Sequence, residues 1–205
     1  MSQPKAPLAK AVFIGGAPGA RQVMAIKKQA ALTHVPTVAI AGRSNVGKST
    51  LLNALFGQSV ARVSSTPGRT QAINLFRFRK IILADLPGYG YAKVSKDQRA
   101  SWGSEIPKWF EADRAVQAVL LLADGRHGLT ELDVQFLQYL QGRTMAHRVI
   151  FTKMDKFKSA NQRRAGESQL AKQCLALGMD ATDMIFVSGE KRQGLGVILS
   201  LLEDF

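Results

Sequence analysis

Val38-Ala39-Ile40-Ala41-Gly42-Arg43-Ser44-Asn45-Val46-Gly47-Lys48-Ser49-Thr50 is the stretch on which the reading of this chain turns. Val38 to Ala41 is a short apolar run ending in glycine, the pattern of a buried strand. Ser49 to Phe56 carries Leu51, Leu52 and Leu55 on one side and stops at Gly57, the pattern of a helix. Between them, Gly42 to Ser49 has the two glycines, the lysine and the hydroxyl of a phosphate-binding loop, in the strand-to-helix context that motif needs. The glycines let backbone N–H groups curl round phosphate oxygens, and the helix N-terminus adds its positive end. Lys48 is placed to reach the β and γ phosphates of a nucleoside triphosphate. The Ser49 hydroxyl suits Mg²⁺, which prefers hard oxygen ligands.

Working outward, the chain from Val35 onward alternates strand and helix. Ile73 to Phe78 and Ile81 to Asp85 read as two strands round a short turn. Ala118–Ala123, Val149–Phe151 and Met184–Val187 read as further strands. Helices are expected from about Asp97 toward Glu111, with a kink or break at Pro107, then at Glu131–Gln141, roughly Ser159–Leu177, and Val197–Leu202. Such alternation predicts one α/β domain over 35–205, three layers deep, with a mostly parallel sheet and helices on both faces. Residues 1–34 read as a basic N-terminal segment, with Ala11–Ile14 as a candidate edge strand and Gly15 to Gly19 as a turn.

Three further motifs fall at expected strand ends. Asp85-Leu86-Pro87-Gly88 follows an apolar strand 36 residues beyond Ser49. An Asp there can hold a magnesium shell through water, and the Gly88 N–H can bond a γ-phosphate. The loop before it offers Ser64, Ser65, Thr66 and Thr70. Thr70, within Gly68-Arg69-Thr70-Gln71-Ala72, lies just before the next strand and is the expected second magnesium ligand beside Ser49. Thr152-Lys153-Met154-Asp155 ends another strand. Its carboxylate can accept from guanine N1–H and the exocyclic amine, donors that adenine does not offer, and such buried pairing rejects the wrong base strongly. The Lys153 stem would pack along the ring. Phe186-Val187-Ser188, leading into Gly189-Glu190-Lys191, fits a backup base loop whose backbone amides approach guanine O6. Lys48, Thr70 and Asn45 are the residues expected to act on the reacting phosphate.

Four spaced motifs in this order resemble the translation-factor-related class of small GTPases. The flanking words are more specific: Gly42 to Leu55, then Pro67-Gly68-Arg69-Thr70-Gln71 and Ile73-Asn74-Leu75-Phe76, then Asp85-Leu86-Pro87-Gly88-Tyr89-Gly90-Tyr91-Ala92-Lys93-Val94. They resemble the EngB (YihA/YsxC) family of bacterial ribosome-assembly GTPases, from about Ala11 to the C-terminus. The resemblance implies a P-loop GTPase domain that binds GTP and GDP with Mg²⁺. It also implies assistance to large ribosomal subunit maturation and a link to cell division and septation. Tyr89 stands where Ras-type proteins place a water-orienting glutamine, so intrinsic hydrolysis is expected to be slow. In related GTPases an Asn at the place of Asn45 helps bind K⁺. The other reading of Asn45 is a loop residue bonding neighbouring backbone, and the sequence leaves both open.

Charge points to a partner. The chain of 205 residues carries a net +13, and Asp85 is its first acidic residue. Residues 1–84 hold 12 Lys and Arg, leaving 16 basic against 15 acidic side chains from Asp85 onward, so the excess sits almost wholly in the first part. A concentrated excess favours a polyanion, and nucleic acid is the commonest. Lys5, Lys10, Arg21, Lys27, Lys28, Arg77, Arg79 and Lys80 have no evident internal partner in the sequence. The lone Cys174 cannot form an internal disulfide, and no run approaches the roughly 18 apolar residues of a membrane span. A cytoplasmic location is therefore expected; a monomer is expected too, though nothing in the sequence derives it. Trp102, Trp109 and Phe110 at helical spacing read as core, and His34, His127 and His147 have no metal spacing. Asp124, Arg126 and His127 read as a structural polar cluster. Two rivals remain: an ATP-using P-loop enzyme, against which Asp155 speaks, and a basic RNA-binding module with a vestigial P-loop, against which the full set of Lys48, Ser49 and Asp85 speaks.

Overall fold

The computed structural model describes residues 10–61, 72–90 and 96–205, with side chains of the last segment from residue 104. Lys5, Ser64, Ser65, Thr66, Gly68, Arg69, Thr70 and Gln71, Tyr91 to Val94, and the Trp102 side chain lie outside it.

Seven strands form one sheet: β1 (Ala11–Ala17), β2 (Thr37–Gly42), β3 (Ile73–Phe78), β4 (Ile81–Asp85), β5 (Val116–Asp124), β6 (Ala146–Thr152) and β7 (Met184–Phe186), in spatial order β1-β3-β4-β2-β5-β6-β7. β4, β2, β5, β6 and β7 pair in parallel, while β3 is antiparallel to both its neighbours. Among the described residues six α-helices accompany them: α1 (Ala20–Gln29), α2 (Lys48–Phe56), α3 (Lys96–Ala112), α4 (Glu131–Gly142), α5 (Ala160–Leu175) and α6 (Leu195–Glu203). Strands such as β2 and β4 are buried at every position, as a sheet covered on both faces requires. One face packs Trp109, Phe110, Phe136 and Leu137 against Ala39, Ala41 and Leu121. The other packs Leu51, Leu52, Leu55 and Ile198 against Val38, Ile40 and Leu120. Each fully buried leucine of α2 contributes about 1.5–3 kcal/mol of transfer free energy.

The N-terminal part differs from the sequence expectation. Gly15 and Gly16 are strand residues, not turn residues, because β1 runs on to Ala17 with a register shift between Phe13 and Gly15. A Cβ at Gly16 would fall 2.3 Å from the Asn74 side-chain oxygen, so glycine lets β1 lie close on β3. The sequence reading also missed α1. Its first backbone amide, Ala20 N–H, bonds the Glu105 carboxylate of α3 at 3.3 Å, a cap supplied from 85 residues away. Pro107 does not break α3, which is continuous from Lys96 to Ala112. Burial of Ile106, Trp109 and Phe110 beside it offsets the missing helix hydrogen bond. Trp109 and Phe110 are core, as their spacing suggests. Among the described residues no helix is long and apolar enough to cross a membrane.

Two of the supposedly unpartnered cations have partners. Lys27 is fully buried and paired with Asp113. Arg79, at the β3–β4 turn, pairs with Glu203 of α6, and Arg77 Nε donates to the Arg79 carbonyl at 3.1 Å. That turn also lies at the far end of the sheet from Asp85, since Phe78 pairs with Ile81 while Asn74 pairs with Asp85. It is therefore not beside the nucleotide loop.

Candidate guanine-nucleotide site

Five parallel strands end at one edge of the sheet, and almost all the sequence-predicted site residues follow those ends. This is where ligands bind in open α/β sheets. Gly42 closes β2 with φ 147°, and a Cβ there would meet the Leu122 carbonyl at 2.6 Å. Arg43, Ser44, Asn45 and Val46 form the loop. Gly47, at φ 106°, turns it into α2, which opens with Lys48, Ser49 and Thr50. Asn45 is exposed with φ 62°, a left-handed conformation that a short polar side chain tolerates.

Lys48 Nζ donates to the Gly42 carbonyl at 3.4 Å. Burial lowers its pKa, with the nearby Asp85 charge opposing. Asp85 closes β4 in the core, where burial pushes its carboxyl up to about 6 against the pull of Lys48. Its Oδ1 is buried without a hydrogen-bond partner among the described residues. A buried carboxylate oxygen left open beside Lys48, with the Ser49 hydroxyl at the start of α2 as a second hard oxygen, fits a hard divalent cation. Leu86 N–H then bonds the Ile40 carbonyl at 2.9 Å and Ser44 N–H the Tyr89 carbonyl at 2.9 Å, so Leu86, Pro87 and Gly88 lie across the P-loop. A Cβ on Gly88 would stand 3.0 Å from Ser44 backbone and 3.1 Å from Lys48 Nζ. Any side chain there would press on the Ser44 backbone, which would have to give by a few tenths of an ångström. Ala72 sits at the entry to β3, and Thr70 and its neighbours precede the described part.

Tyr89 points away from this centre. Its hydroxyl donates to buried Asp133 at 2.6 Å, and its ring lies 6.1 Å from Phe136. Burial first, then the Asp133 carboxylate, push the phenol far above its ordinary range. Asp133 also accepts from Thr130 N–H and the Thr130 hydroxyl at the start of α4. No sequence spacing announced this tie.

The base-side residues also converge. The Thr152 hydroxyl donates to the Val46 carbonyl at 2.6 Å, binding the end of β6 to the P-loop. Lys153, at φ 60°, donates from Nζ to the Asn45 carbonyl at 2.7 Å and pairs with Asp124 at 2.9 Å. Met154 is buried, its N–H on the Val187 carbonyl at 3.1 Å. Asp155 Oδ1 accepts from the Ser188 hydroxyl at 2.5 Å. Burial works against its charge, yet bonds from Ser188, its own backbone and Lys156 hold its carboxyl below the usual range. Phe186 stacks on Phe151 with centroids 5.4 Å apart, and Val187 N–H bonds the Phe151 carbonyl, which brings the Ser188 loop beside Asp155. Gly189 lies against the start of α2, where a Cβ would be 3.3 Å from Leu51 backbone.

Comparison with known proteins agrees with this geometry. Residues 37–153 match the family model described as 50S ribosome-binding GTPase. A probable GTP-binding protein EngB from Pelotomaculum thermopropionicum is 40% identical over 171 residues, 82% of this chain and 85% of that protein. The chain belongs to the EngB GTP-binding proteins. An EngB relative from Clostridium perfringens (strain 13 / Type A) is likewise 40% identical over 83% of this chain and 86% of its own. A crystal structure of a probable GTP-binding protein engB superposes with TM-score 0.67 at 25% identity, over 82% of this chain and 97% of that one. Era in complex with MgGDPNP and a segment of 16S ribosomal RNA gives TM-score 0.66 at 25% identity, over 84% of this chain and 57% of that one. This EngB-type chain is thus a GTP-binding GTPase with a P-loop fold. Membership removes the ATP-using enzyme and the vestigial P-loop as rivals.

Proposed function

We propose that this EngB-type GTPase acts as a GTP/GDP switch on the assembling large ribosomal subunit, as a cytoplasmic monomer needed for normal cell division. The observation that carries the nucleotide chemistry is the open, buried Asp85 Oδ1 at the end of β4 beside Lys48. The P-loop amides and Lys48 would bind the phosphates. Gly88 N–H would meet the γ-phosphate, and Asp155 with Ser188 would hold the base. Ser49 and Thr70 would ligate Mg²⁺ and Asp85 would hold its shell. The ion supplies neutralisation of the charge on the β and γ phosphates when bound. With Tyr89 committed to Asp133, its phenol is not free to orient the attacking water, which supports a slow intrinsic rate.

Turnover should therefore be slow, abolished by chelating Mg²⁺, and faster in K⁺ than in Na⁺ if Asn45 holds a monovalent ion. Phosphate release measured in the two salts and in chelator checks this. Equal rates in K⁺ and Na⁺ return Asn45 to a turn residue, and turnover in chelator removes the roles of Ser49 and Thr70.

The ribosomal partner draws support from the family description and from the basic first part of the chain. Lys10, Lys28 and Lys80 are exposed and lie toward the end of the sheet opposite the P-loop, where β1, β2 and β4 begin and α1 ends. Co-sedimentation with large subunits should be strongest with GTP and should fall steeply with salt. Removing these three charges should flatten the slope of log K against log salt by roughly 0.7–0.9 per lost phosphate contact, leaving GTP affinity intact. Unchanged binding by the triple variant at several salt concentrations would sink this surface as the contact.

A further inference from the structure

Asp124, the last residue of β5, has no part in the nucleotide chemistry above, yet it joins three loops of the site. Arg126 grips it edge-on, Nε to Oδ1 at 2.9 Å and Nη2 to Oδ2 at 2.7 Å, and the Arg126 amide adds a bond to Oδ1 at 3.1 Å. A planar two-point pair of this kind fixes the carboxylate plane. The Lys153 ammonium then takes Oδ2 at 2.9 Å and donates to the Asn45 carbonyl at 2.7 Å. Asn45 follows β2, Asp124 ends β5, and Lys153 follows β6, so one ammonium ties together the ends of three neighbouring strands. Gly125 keeps them close: its N–H bonds the Thr152 carbonyl at 2.9 Å, and a Cβ there would stand 2.5 Å from Met154 Sδ.

Lys153 needs such an anchor. Its backbone is in the left-handed region at φ 60°, strained for any residue with a Cβ. Its four-carbon stem has high rotamer freedom unless both ends are held. A stem fixed at backbone and ammonium presents a ready-made apolar wall, and a wall ordered in advance costs nothing to order when a ring binds. Burial works against the charge on Asp124, but bonds from Arg126 and Lys153 outweigh it and keep the carboxyl well below the usual range. It is thus a carboxylate at neutral pH.

We propose that Asp124 is a positioning residue of the nucleotide site, holding the Lys153 ammonium against the Asn45 carbonyl so that the Lys153 stem stands fixed along the guanine ring, with Arg126 holding Asp124 in turn. This rests on the reading that Lys153 and Asp155 hold the base.

The test is the release rate of a fluorescent GDP analogue from the full chain in five forms: parent, Asp124→Asn, Arg126→Ala, Lys153→Ala and the Asp124→Asn/Lys153→Ala double variant. Asp124→Asn keeps the shape and loses the charge. It should release GDP about five- to twentyfold faster, Arg126→Ala by a smaller factor, and Asp124→Asn should add nothing once Lys153 is alanine. A merely structural role would instead lower the nucleotide-free melting temperature and speed release equally in both backgrounds. Parental release from Asp124→Asn, or full additivity with Lys153→Ala, overturns the proposal. If Asp124→Asn does not fold, Arg126→Ala in the two Lys153 backgrounds carries the same comparison. Unchanged GTP binding by an Asp155→Asn variant would count against the base-site reading. The Asp124–Lys153 coupling is measured independently of it.

Discussion

Asp155→Asn is expected to lower GTP affinity by about a hundredfold or more and to turn preference toward xanthosine triphosphate. The carboxylate is the acceptor for two donors on the guanine edge, N1–H and the exocyclic amine. An amide in its place presents an N–H to one of them and leaves buried groups facing like groups, each costing roughly 1–3 kcal/mol. Xanthine carries a carbonyl where guanine carries the amine, so the new N–H finds an acceptor. The fold should survive the change. The substituted amide would keep an oxygen to accept from Ser188, the bond that now holds Asp155 at 2.5 Å. Lys156, 3.3 Å from Asp155, is itself exposed and keeps its pair to exposed Glu190 at 2.7 Å, and pairs of that exposed kind contribute little. Competition binding with GTP, ATP and xanthosine triphosphate reads the outcome directly. An Asp155→Asn variant that binds GTP as the parent does would remove Asp155 from the base site. One that loses all three nucleotides would point to a collapsed loop instead.

The parts of the site legible in the sequence were those that carry local chemistry. A glycine at fixed spacing before a lysine and serine, an aspartate at the end of an apolar strand, and a lysine–aspartate pair after another strand are readable because each motif reports its own backbone context. Gly42, Lys48, Asp85, Thr152 and Ser188 all lie at one sheet edge because parallel strands bring their C-terminal ends to the same side. What spacing does not carry is contact between elements. The Tyr89 hydroxyl meets Asp133 across 44 residues, and α1 takes its cap from Glu105 across 85. Tyr89 stands out in sequence by its place, but nothing there names its partner, and the ends of the other pair look ordinary. The same blindness makes Lys27 look like a free surface cation, and it shows Asp124 with its neighbour Arg126 but not with Lys153, 29 residues on. The charge imbalance, by contrast, was read correctly as a sum and only partly as a location. Lys10, Lys28 and Lys80 are exposed, while Lys27 and Arg79 are spoken for.

Lys27→Ala is expected to destabilise the fold by about 3–5 kcal/mol, the cost of stranding a buried charge whose partner has been removed. Both side chains of the pair are fully buried. Lys27 Nζ spends its three protons on Asp113 Oδ1 at 2.8 Å, Asp113 Oδ2 at 2.7 Å and Thr37 Oγ1 at 3.0 Å. No donor is left over, and Thr37 passes its own proton to the Val35 carbonyl at 3.2 Å. The cluster joins α1, the start of β2 and the segment after α3, which seats the N-terminal helix on the domain at the end of the sheet away from the nucleotide. Alanine there would leave Asp113 with only the Ala115 amide, at 3.2 Å, inside the core. Lys27→Met with Asp113→Leu removes both charges and keeps most of the volume, so it should cost far less than Lys27→Ala alone. Urea unfolding of nucleotide-free protein measures the three forms on one scale. If Lys27→Ala unfolds within about 1 kcal/mol of the parent, water reaches Asp113 and the pair is not a buried one. If the double apolar variant is as unstable as the single, the loss comes from the packing of α1 against α3 and not from the unpaired charge.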